Sequence, residues 1–234
     1  MSEFPANASR PVTSPSESST ISSEGAPGSG EADNSMSSAW AARLAPTACP
    51  LLGVAAWSGT GKTTLLEQLL PKLRERGLKV AVIKHAHHAF DVDVPGKDSH
   101  RLRMAGAVPM LVASAKRFAL MMETPEQQEA DLEQLVAQLD SLEVDLILVE
   151  GFKQWPLPKL ELYRSAVGKP LRVLEDRWIH ALATPGATID VQDTLPVDLK
   201  QLDLDDIETL AAWVSAWPIH WRLEGGQPRR EVTS

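Results

Sequence analysis

The chain has 234 residues, 43% of them hydrophobic, which suits one folded domain of ordinary size with additional tails. Its formal net charge of −8 disfavours a protein that coats nucleic acid, because such binding needs clustered cations. A single cysteine, Cys49, excludes an intrachain disulfide. The sequence contains neither a signal-peptide pattern nor an apolar run of the ~18 residues that span a bilayer. We therefore expect a cytoplasmic protein with no membrane or nucleic-acid partner.

Composition divides the chain into three segments. Residues 1–46 are rich in Ser, Pro, Gly, Ala, Glu and Asn and carry few large apolar side chains, which predicts a disordered N-terminal extension. Residues 223–234 predict a flexible tail for the same reason. The folded domain is therefore expected to occupy residues 48–222.

Within this domain, short apolar runs alternate with helical patterns, which is typical of an α/β fold with a largely parallel central sheet flanked by helices. Pro71 is expected to kink or break the first helix, because its ring removes an amide hydrogen bond. In chain order, the predicted elements are strand Leu51–Ala56, a helix from the Lys62 region to a stop at Gly77, strand Lys79–His85, helix Asp98–Ala105, strands Met110–Ser114 and Phe118–Met122, helix Pro125–Asp140 capped by Thr124, strands Val144–Val149, Leu160–Tyr163 and His180–Thr184, and helix Asp203–Trp217.

A glycine-rich segment between the first strand and the first helix has the spacing of a phosphate-binding P-loop. The segment reads Ala-Trp-Ser-Gly-Thr-Gly-Lys-Thr over residues 56–63, with Ala56 in place of the usual first glycine. Gly59 and Gly61 allow the backbone N–H groups to turn inward around phosphate oxygens, and the following helix N-terminus adds further donors. Lys62 is predicted to reach the β- and γ-phosphates of a nucleotide, and the Thr63 hydroxyl to ligate Mg²⁺.

Acidic residues near this loop are candidates for the magnesium site. Glu150 ends an almost wholly apolar strand, and ligands of α/β sheets gather at the carboxyl ends of such strands. Asp145 begins the same strand and is not expected to contribute. In the loop after the second strand, Asp91 or Asp93 is a further candidate for the magnesium sphere, and we favour Asp93. Lys62 and Glu150 are the predicted catalytic residues.

Four blocks, in order along the chain, resemble those of the MobB family of molybdopterin-guanine dinucleotide biosynthesis accessory proteins. The blocks are Ala55–Leu66, Ile83–His88, Asp93–Ser99 and Leu148–Lys153. The resemblance runs from about Pro50 to Trp217. It implies a three-layer P-loop NTPase fold with extra β-strands, and a family in which alanine is tolerated at the first P-loop glycine. By position, magnesium would face Thr63 and Glu150, and the phosphates would be held by Ser58, Gly59, Thr60, Gly61, Lys62, Thr63 and Thr64.

The same resemblance implies a function. Members bind GTP with Mg²⁺, hydrolyse it weakly, form homodimers and assist a partner guanylyltransferase. That partner transfers GMP from GTP to molybdopterin, giving the guanine dinucleotide form of the molybdenum cofactor. The guanine preference rests on the resemblance alone, since no Asn-Lys-x-Asp or Thr-Lys-x-Asp segment follows a late strand.

Two other functions remain open from the residues themselves. A small-molecule kinase would use the same loop, although the sequence has no arginine-rich lid segment. A metallochaperone GTPase would use the histidine-rich loop, in which His85, His87 and His88 are candidate ligands of a transition metal. Adjacent histidines on an extended segment point to opposite sides, which disfavours a convergent metal site.

Overall fold

The computed structural model describes residues 49–86, 90–187, 195–224, 227 and 229. The expected disordered extension, most of the expected flexible tail, and His87 and His88 lie outside the described residues. These residues form eight strands: β1 (Leu51–Ala56), β2 (Val80–Lys84), β3 (Met110–Ala113), β4 (Phe118–Met121), β5 (Leu146–Glu150), β6 (Lys159–Leu162), β7 (Ile179–Thr184) and β8 (Lys200–Asp203). The helices are α1 (Lys62–Glu75), α2 (Asp98–Met104), α3 (Leu132–Ala137) and α4 (Ile207–Glu224).

Six strands form one sheet in the order β2-β5-β1-β6-β7-β8, and every neighbouring pair is parallel. Because the strands are parallel, their carboxyl ends lie along one edge, which carries the ends of β1, β2 and β5 side by side. The register pairs Val54 with Glu150 and Glu150 with Lys84. This edge is where an α/β sheet binds its ligands.

Helices cover both faces of the sheet and make the fold three-layered. On one face, leucines of α1 and apolar residues of α4 pack against the side chains of Leu52, Val54 and Leu148. On the other face, Leu132 and Val136 of α3 pack against residues that alternate with these along β1 and β5. The alternation explains why β1 and β5 read as continuous apolar runs: a strand covered on both faces buries every side chain. The predicted α/β architecture is confirmed.

Strands β3 and β4 form a separate antiparallel hairpin outside the main sheet. These are the extra strands that the sequence predicts. Most of their apolar side chains are exposed, among them Leu111, Phe118 and Leu120.

Two helix predictions are corrected by the structure. Helix Pro125–Asp140 is wrong in its first half: α3 starts only after Asp131, whose carboxylate accepts hydrogen bonds from the N–H groups of Glu133 and Gln134. Asp131 therefore caps the helix in place of Thr124, because a short acidic side chain satisfies the free donors of a first turn. Helix α1 continues through Pro71 without the expected break. Leu69 and Leu73 are buried on either side of the proline, and their packing holds the helix together.

The end of the domain also differs from the sequence prediction. Residues Lys200–Asp203 form the edge strand β8, which pairs with β7, and were not recognised as a strand. Asp203 therefore ends a strand instead of opening the last helix, and α4 begins at Ile207. The Asp206 carboxylate accepts a hydrogen bond from the N–H of Thr209 in the first turn of that helix. Helix α4 extends to Glu224, two residues beyond the predicted domain end.

Candidate functional site

The segment after β1 has the backbone conformation of a phosphate-binding loop. Gly59 and Gly61 have φ values of +85° and +96°, in the region that only glycine adopts readily, and a Cβ at either position would meet no other atom. Glycine is therefore required at both positions by the backbone conformation and not by a lack of space for a side chain. Gly61 is the N-cap of α1, and the helix begins at Lys62, as the sequence predicts. The free N–H groups of that first turn point along the helix axis toward the carboxyl edge of the sheet.

Thr60 stabilises this loop from the inside. Its side chain is buried, and its hydroxyl donates a hydrogen bond of 2.9 Å to the carbonyl oxygen of Trp57. The backbone N–H of Thr60 donates to the same carbonyl at 3.3 Å. Ser58 and Thr63, by contrast, are exposed and available to a ligand.

Lys62 and Glu150 meet at the centre of the carboxyl edge. The Lys62 ammonium lies 3.5 Å from one carboxylate oxygen of Glu150, and both side chains are largely withdrawn from solvent. The other oxygen lies 3.8 Å from the ammonium of Lys84, which is mostly exposed. The sequence-predicted pair of P-loop lysine and strand-end carboxylate is thus brought together. Asp145 lies at the opposite end of β5, where its carboxylate accepts the N–H of Lys79, as expected for a residue outside the site.

The residue after Glu150 fixes the position of this carboxylate. Gly151 has a φ of +97°, and a Cβ there would lie 2.8 Å from the Cβ of His85 and 3.2 Å from the His85 carbonyl oxygen. The N–H of His85 donates to the carbonyl of Glu150 at 2.8 Å, extending the pairing of β2 and β5 by one residue. The residues that follow β2 and β5 therefore pack so closely that there is no room for a side chain at position 151, and glycine is required there.

Three positively charged side chains lie beside the loop on its β6 side, and none of them was predicted from the sequence. The Arg172 guanidinium stacks on the Trp57 ring at 4.2 Å from its centroid, and the Lys169 ammonium lies 5.9 Å from it. The Trp57 indole N–H donates to the carbonyl of Pro170 at 2.8 Å. Arg164 donates to the carbonyl of Thr60 at 3.3 Å. No spacing signal links these residues to the loop, because they lie more than 100 positions further along the chain.

The turn that carries Arg172 is held by a buried acid. The Glu161 side chain on β6 has no solvent exposure, and its two carboxylate oxygens accept the N–H groups of Arg172 and Val173, each at 2.8 Å. Burial raises the pKa of Glu161 to about 7, even though both N–H donors and the Arg172 charge favour the ionised form. Glu161 therefore anchors the arginine-bearing turn to the strand next to β1.

Lys153, in the turn after Glu150, completes this group of cations. Its backbone N–H donates to the carbonyl of Gly151 at 3.0 Å, which folds the chain back at the carboxyl edge. Burial lowers the pKa of Lys153, and repulsion from the charges of Arg172 and Lys62 lowers it further. Lys62, Lys153 and Arg172 are therefore electrostatic neighbours.

Asp93 belongs to a network around Arg103. One Asp93 oxygen accepts the hydroxyl of Ser99 at 2.7 Å, and the other lies 3.9 Å from Arg103 Nε and has no hydrogen-bond partner within the described residues. Arg103 also pairs with Asp91 and Glu123. These contacts lower the pKa of Asp91, mainly through the N–H of Asp93 and then through Arg103. The network holds the loop before α2 against the helix and the hairpin.

The histidine-rich loop is described only in part. The His85 ring packs 5.0 Å from the Phe152 ring, and its Nε2 lies 3.6 Å from the Glu129 carboxylate. Among the described residues, no group of three or more His, Cys, Asp or Glu side chains is arranged to hold a metal ion. In that same part of the chain, no helix has the length and apolar character needed to cross a membrane.

A parallel sheet with a glycine-bent loop between its first strand and helix, a helix-opening lysine and a facing strand-end carboxylate defines a P-loop NTPase fold. The family model described as "Molybdopterin guanine dinucleotide synthesis protein B", MobB, matches residues 51–185. The chain belongs to this family.

Similar proteins agree with this assignment. The chain is 49% identical over 172 residues to the "Molybdopterin-guanine dinucleotide biosynthesis adapter protein" of Escherichia coli K12, covering 73% of this chain and 94% of that protein. It is 42% identical to the protein of the same name from Haemophilus influenzae, with 74% and 91% covered. A crystal structure of molybdopterin-guanine biosynthesis protein B is 28% identical, with a TM-score of 0.52 and coverage of 70% and 97%.

Proposed function

We propose that this protein binds GTP with Mg²⁺ and acts as an adapter for a guanylyltransferase that converts molybdopterin to molybdopterin guanine dinucleotide. The observation that carries the nucleotide site is the meeting of Lys62 and Glu150, 3.5 Å apart, where the glycine-bent loop opens α1. The adapter role and the guanine base are supported by the names of the relatives, two of which are 49% and 42% identical to this chain over 172 aligned residues.

The residues at this edge fit a magnesium-bound triphosphate. The free backbone N–H groups of the segment from Ser58 to Thr64 would hold phosphate oxygens, and Lys62 would balance their charge. The exposed Thr63 hydroxyl is a hard oxygen ligand of the kind Mg²⁺ takes, with Glu150 close enough to hold a water of its coordination sphere. The bound ion would neutralise charge between the β- and γ-phosphates. The same arrangement supports slow hydrolysis at most, with Lys62 and Glu150 as the catalytic residues.

Asp93 is proposed as a further residue of the magnesium sphere. One of its oxygens has no hydrogen-bond partner within the described residues and is shielded from solvent, so it retains the capacity to accept a water bound to the ion. Its loop follows β2, whose carboxyl end carries Lys84 beside Glu150. In this arrangement Arg103 would hold the loop in place from the opposite side.

The exposed hairpin supports a homodimer. A two-stranded hairpin is marginally stable alone, and β3–β4 leaves large apolar side chains such as Leu111 and Phe118 in solvent. A second copy of the chain would bury these side chains against its own hairpin. Light scattering of the full chain should then give a mass near twice 25.5 kDa; a mass of one chain at working concentrations would exclude the dimer.

Lys62→Ala tests the nucleotide site. Loss of the ammonium removes contacts to the β- and γ-oxygens, so GTP affinity should fall by about 100-fold or more while GMP affinity changes little. The matched control is Lys200→Ala, which removes the same charge at the amino end of β8, on the opposite edge of the sheet. Calorimetric titrations with GTP, GDP, GMP and ATP, repeated with the guanylyltransferase present, measure base preference and adapter function together. Equal GTP affinities in parent and Lys62→Ala would refute the site.

A further inference from the structure

We propose that Arg172 and Lys153 form a cationic clamp that contacts the terminal phosphate of the nucleotide held by the P-loop. The inference rests on the proposed nucleotide site and adds two residues to it that no P-loop motif contains. It names the ligand chemistry: the clamp takes the γ-phosphate of a nucleoside triphosphate, and a diphosphate leaves it empty.

Arg172 is placed for this contact by groups on both of its sides. Its guanidinium lies 4.2 Å from the centroid of the Trp57 ring, and Trp57 is the first residue after β1 in the phosphate loop itself. The Arg172 Nε is buried and, within the described residues, has no hydrogen-bond partner. Arginine's planar set of donors matches the oxygens of a phosphate, so a bound phosphate would satisfy a charge that the protein leaves incompletely paired.

The turn under Arg172 is anchored to the sheet by hydrogen bonds. Both carboxylate oxygens of Glu161 are used by the N–H groups of Arg172 and Val173, and β6, which carries Glu161, pairs with β1. Ala55 of β1 is directly opposite Glu161 in the register. The arginine is therefore tied to the strand next to the one that delivers the phosphate loop, and this bonding sets its position relative to the loop.

Lys153 approaches from the other neighbour of β1. It lies three residues beyond Glu150, and its N–H bond to the Gly151 carbonyl bends the chain at the carboxyl edge. Lys153 also follows the strand end at which Glu150 pairs with Lys62, and the positive charges of Arg172 and Lys62 are near enough to lower its pKa. Glu150 is the carboxylate paired with Lys62 there, and both oxygens of Glu161, which lies beside Arg172, are taken by backbone N–H groups. A polyanion bound beside these cations would remove the repulsion among them.

The experiment compares the affinities of the full chain for GTP and GDP, each with Mg²⁺, by isothermal titration calorimetry. Arg172→Gln and Lys153→Gln each remove one positive charge and keep a polar side chain, and Lys200→Gln is the control at the opposite edge. Both clamp variants should lose about 10-fold or more in GTP affinity and less than about threefold in GDP affinity. Lys200→Gln should match the parent for both nucleotides.

The two clamp variants lie in different parts of the chain, so the test still gives a result if one of them does not fold. Thermal unfolding of each variant shows whether it is folded. Unchanged GTP affinity in a folded Lys153→Gln or Arg172→Gln chain would overturn the clamp while leaving the proposed function intact. Equal losses for GTP and GDP would place the contact at the β-phosphate and overturn it as well. A parent chain that binds neither nucleotide would overturn the proposed function and the clamp together.

Discussion

Gly151→Ala is the substitution whose effect can be worked out most directly from the geometry of the site. The added methyl group would lie 2.8 Å from the Cβ of His85, where carbon atoms normally stay about 3.5–4.0 Å apart. It would also sit on a residue with a φ of +97°, which side chains rarely adopt. The neighbouring atoms belong to backbone and Cβ, so relief requires β2 and β5 to separate at their exits.

Two costs add at this position. A side chain held in a sparsely populated backbone region costs about 1–3 kcal/mol. Forcing a methyl group into a filled space costs about 1–3 kcal/mol more. The sum is about 2–6 kcal/mol of unfolding free energy, and each kcal/mol lowers the melting temperature of a domain of this size by about 2–4 °C. We expect a fall of about 4–24 °C, and roughly 12 °C at the middle of both ranges.

Gly77→Ala separates the two costs. Gly77 follows α1 with a φ of +84°, but a Cβ there would meet nothing within 4 Å, so this variant carries the backbone cost alone. Chemical and thermal unfolding of parent, Gly77→Ala and Gly151→Ala, followed by circular dichroism, should rank them in that order of decreasing stability. A Gly151→Ala chain as stable as Gly77→Ala would refute the reasoning that the close approach of His85 requires glycine.

Two further predictions concern the acids on either side of β1. Glu150→Gln keeps the size of the side chain but removes its charge, so the Mg²⁺ concentration that half-saturates GTP binding should rise by about 10-fold; an unchanged magnesium titration would exclude Glu150 from that role. The pKa of Glu161 is raised from 4.5 to about 7, so the protonated form contributes stability that is complete below pH 4.5 and is lost as the pH rises to about 7. Denaturant titrations of both chains give their free energies of unfolding. The value for the parent minus the value for Glu161→Gln should fall by about 3 kcal/mol between pH 4.5 and pH 7.5. A difference that does not change with pH would contradict the raised pKa.

The features that the sequence predicted correctly depend on neighbours along the chain. The phosphate loop is a strand, two glycines and a helix-opening lysine in one stretch of residues, and the structure places Gly59, Gly61 and Lys62 as expected. Glu150 was found because a fully apolar strand of five or six residues has to be buried on both faces, and its last residue then reaches the ligand edge. The alternation of strands and helices was sufficient for the fold class.

The sequence pattern predicted the wrong helix start where hydrogen bonds outside the pattern determined the local structure. The apolar spacing after Pro125 suits a helix of four turns, yet Asp131 caps the chain six residues later and only Leu132–Ala137 is helical. Near Asp203, a short strand with one exposed face gives a weak apolar signal, and pairing with β7 made it a strand. In both cases a contact outside the periodic pattern determined where the helix began.

The sequence by itself determined that the chain folds as an α/β domain, that a P-loop joins β1 to α1, and that Glu150 lies at the carboxyl edge of the sheet beside that loop. Only the tertiary structure placed Arg172 on Trp57, with Glu161 fixing the turn that carries the arginine, and brought Lys153 near the charges of Arg172 and Lys62. The reason is physical: a loop motif is specified by the backbone freedom and charge of adjacent residues. Contacts between residues 57 and 172 depend on the strand order, which the parallel crossovers establish over the whole domain.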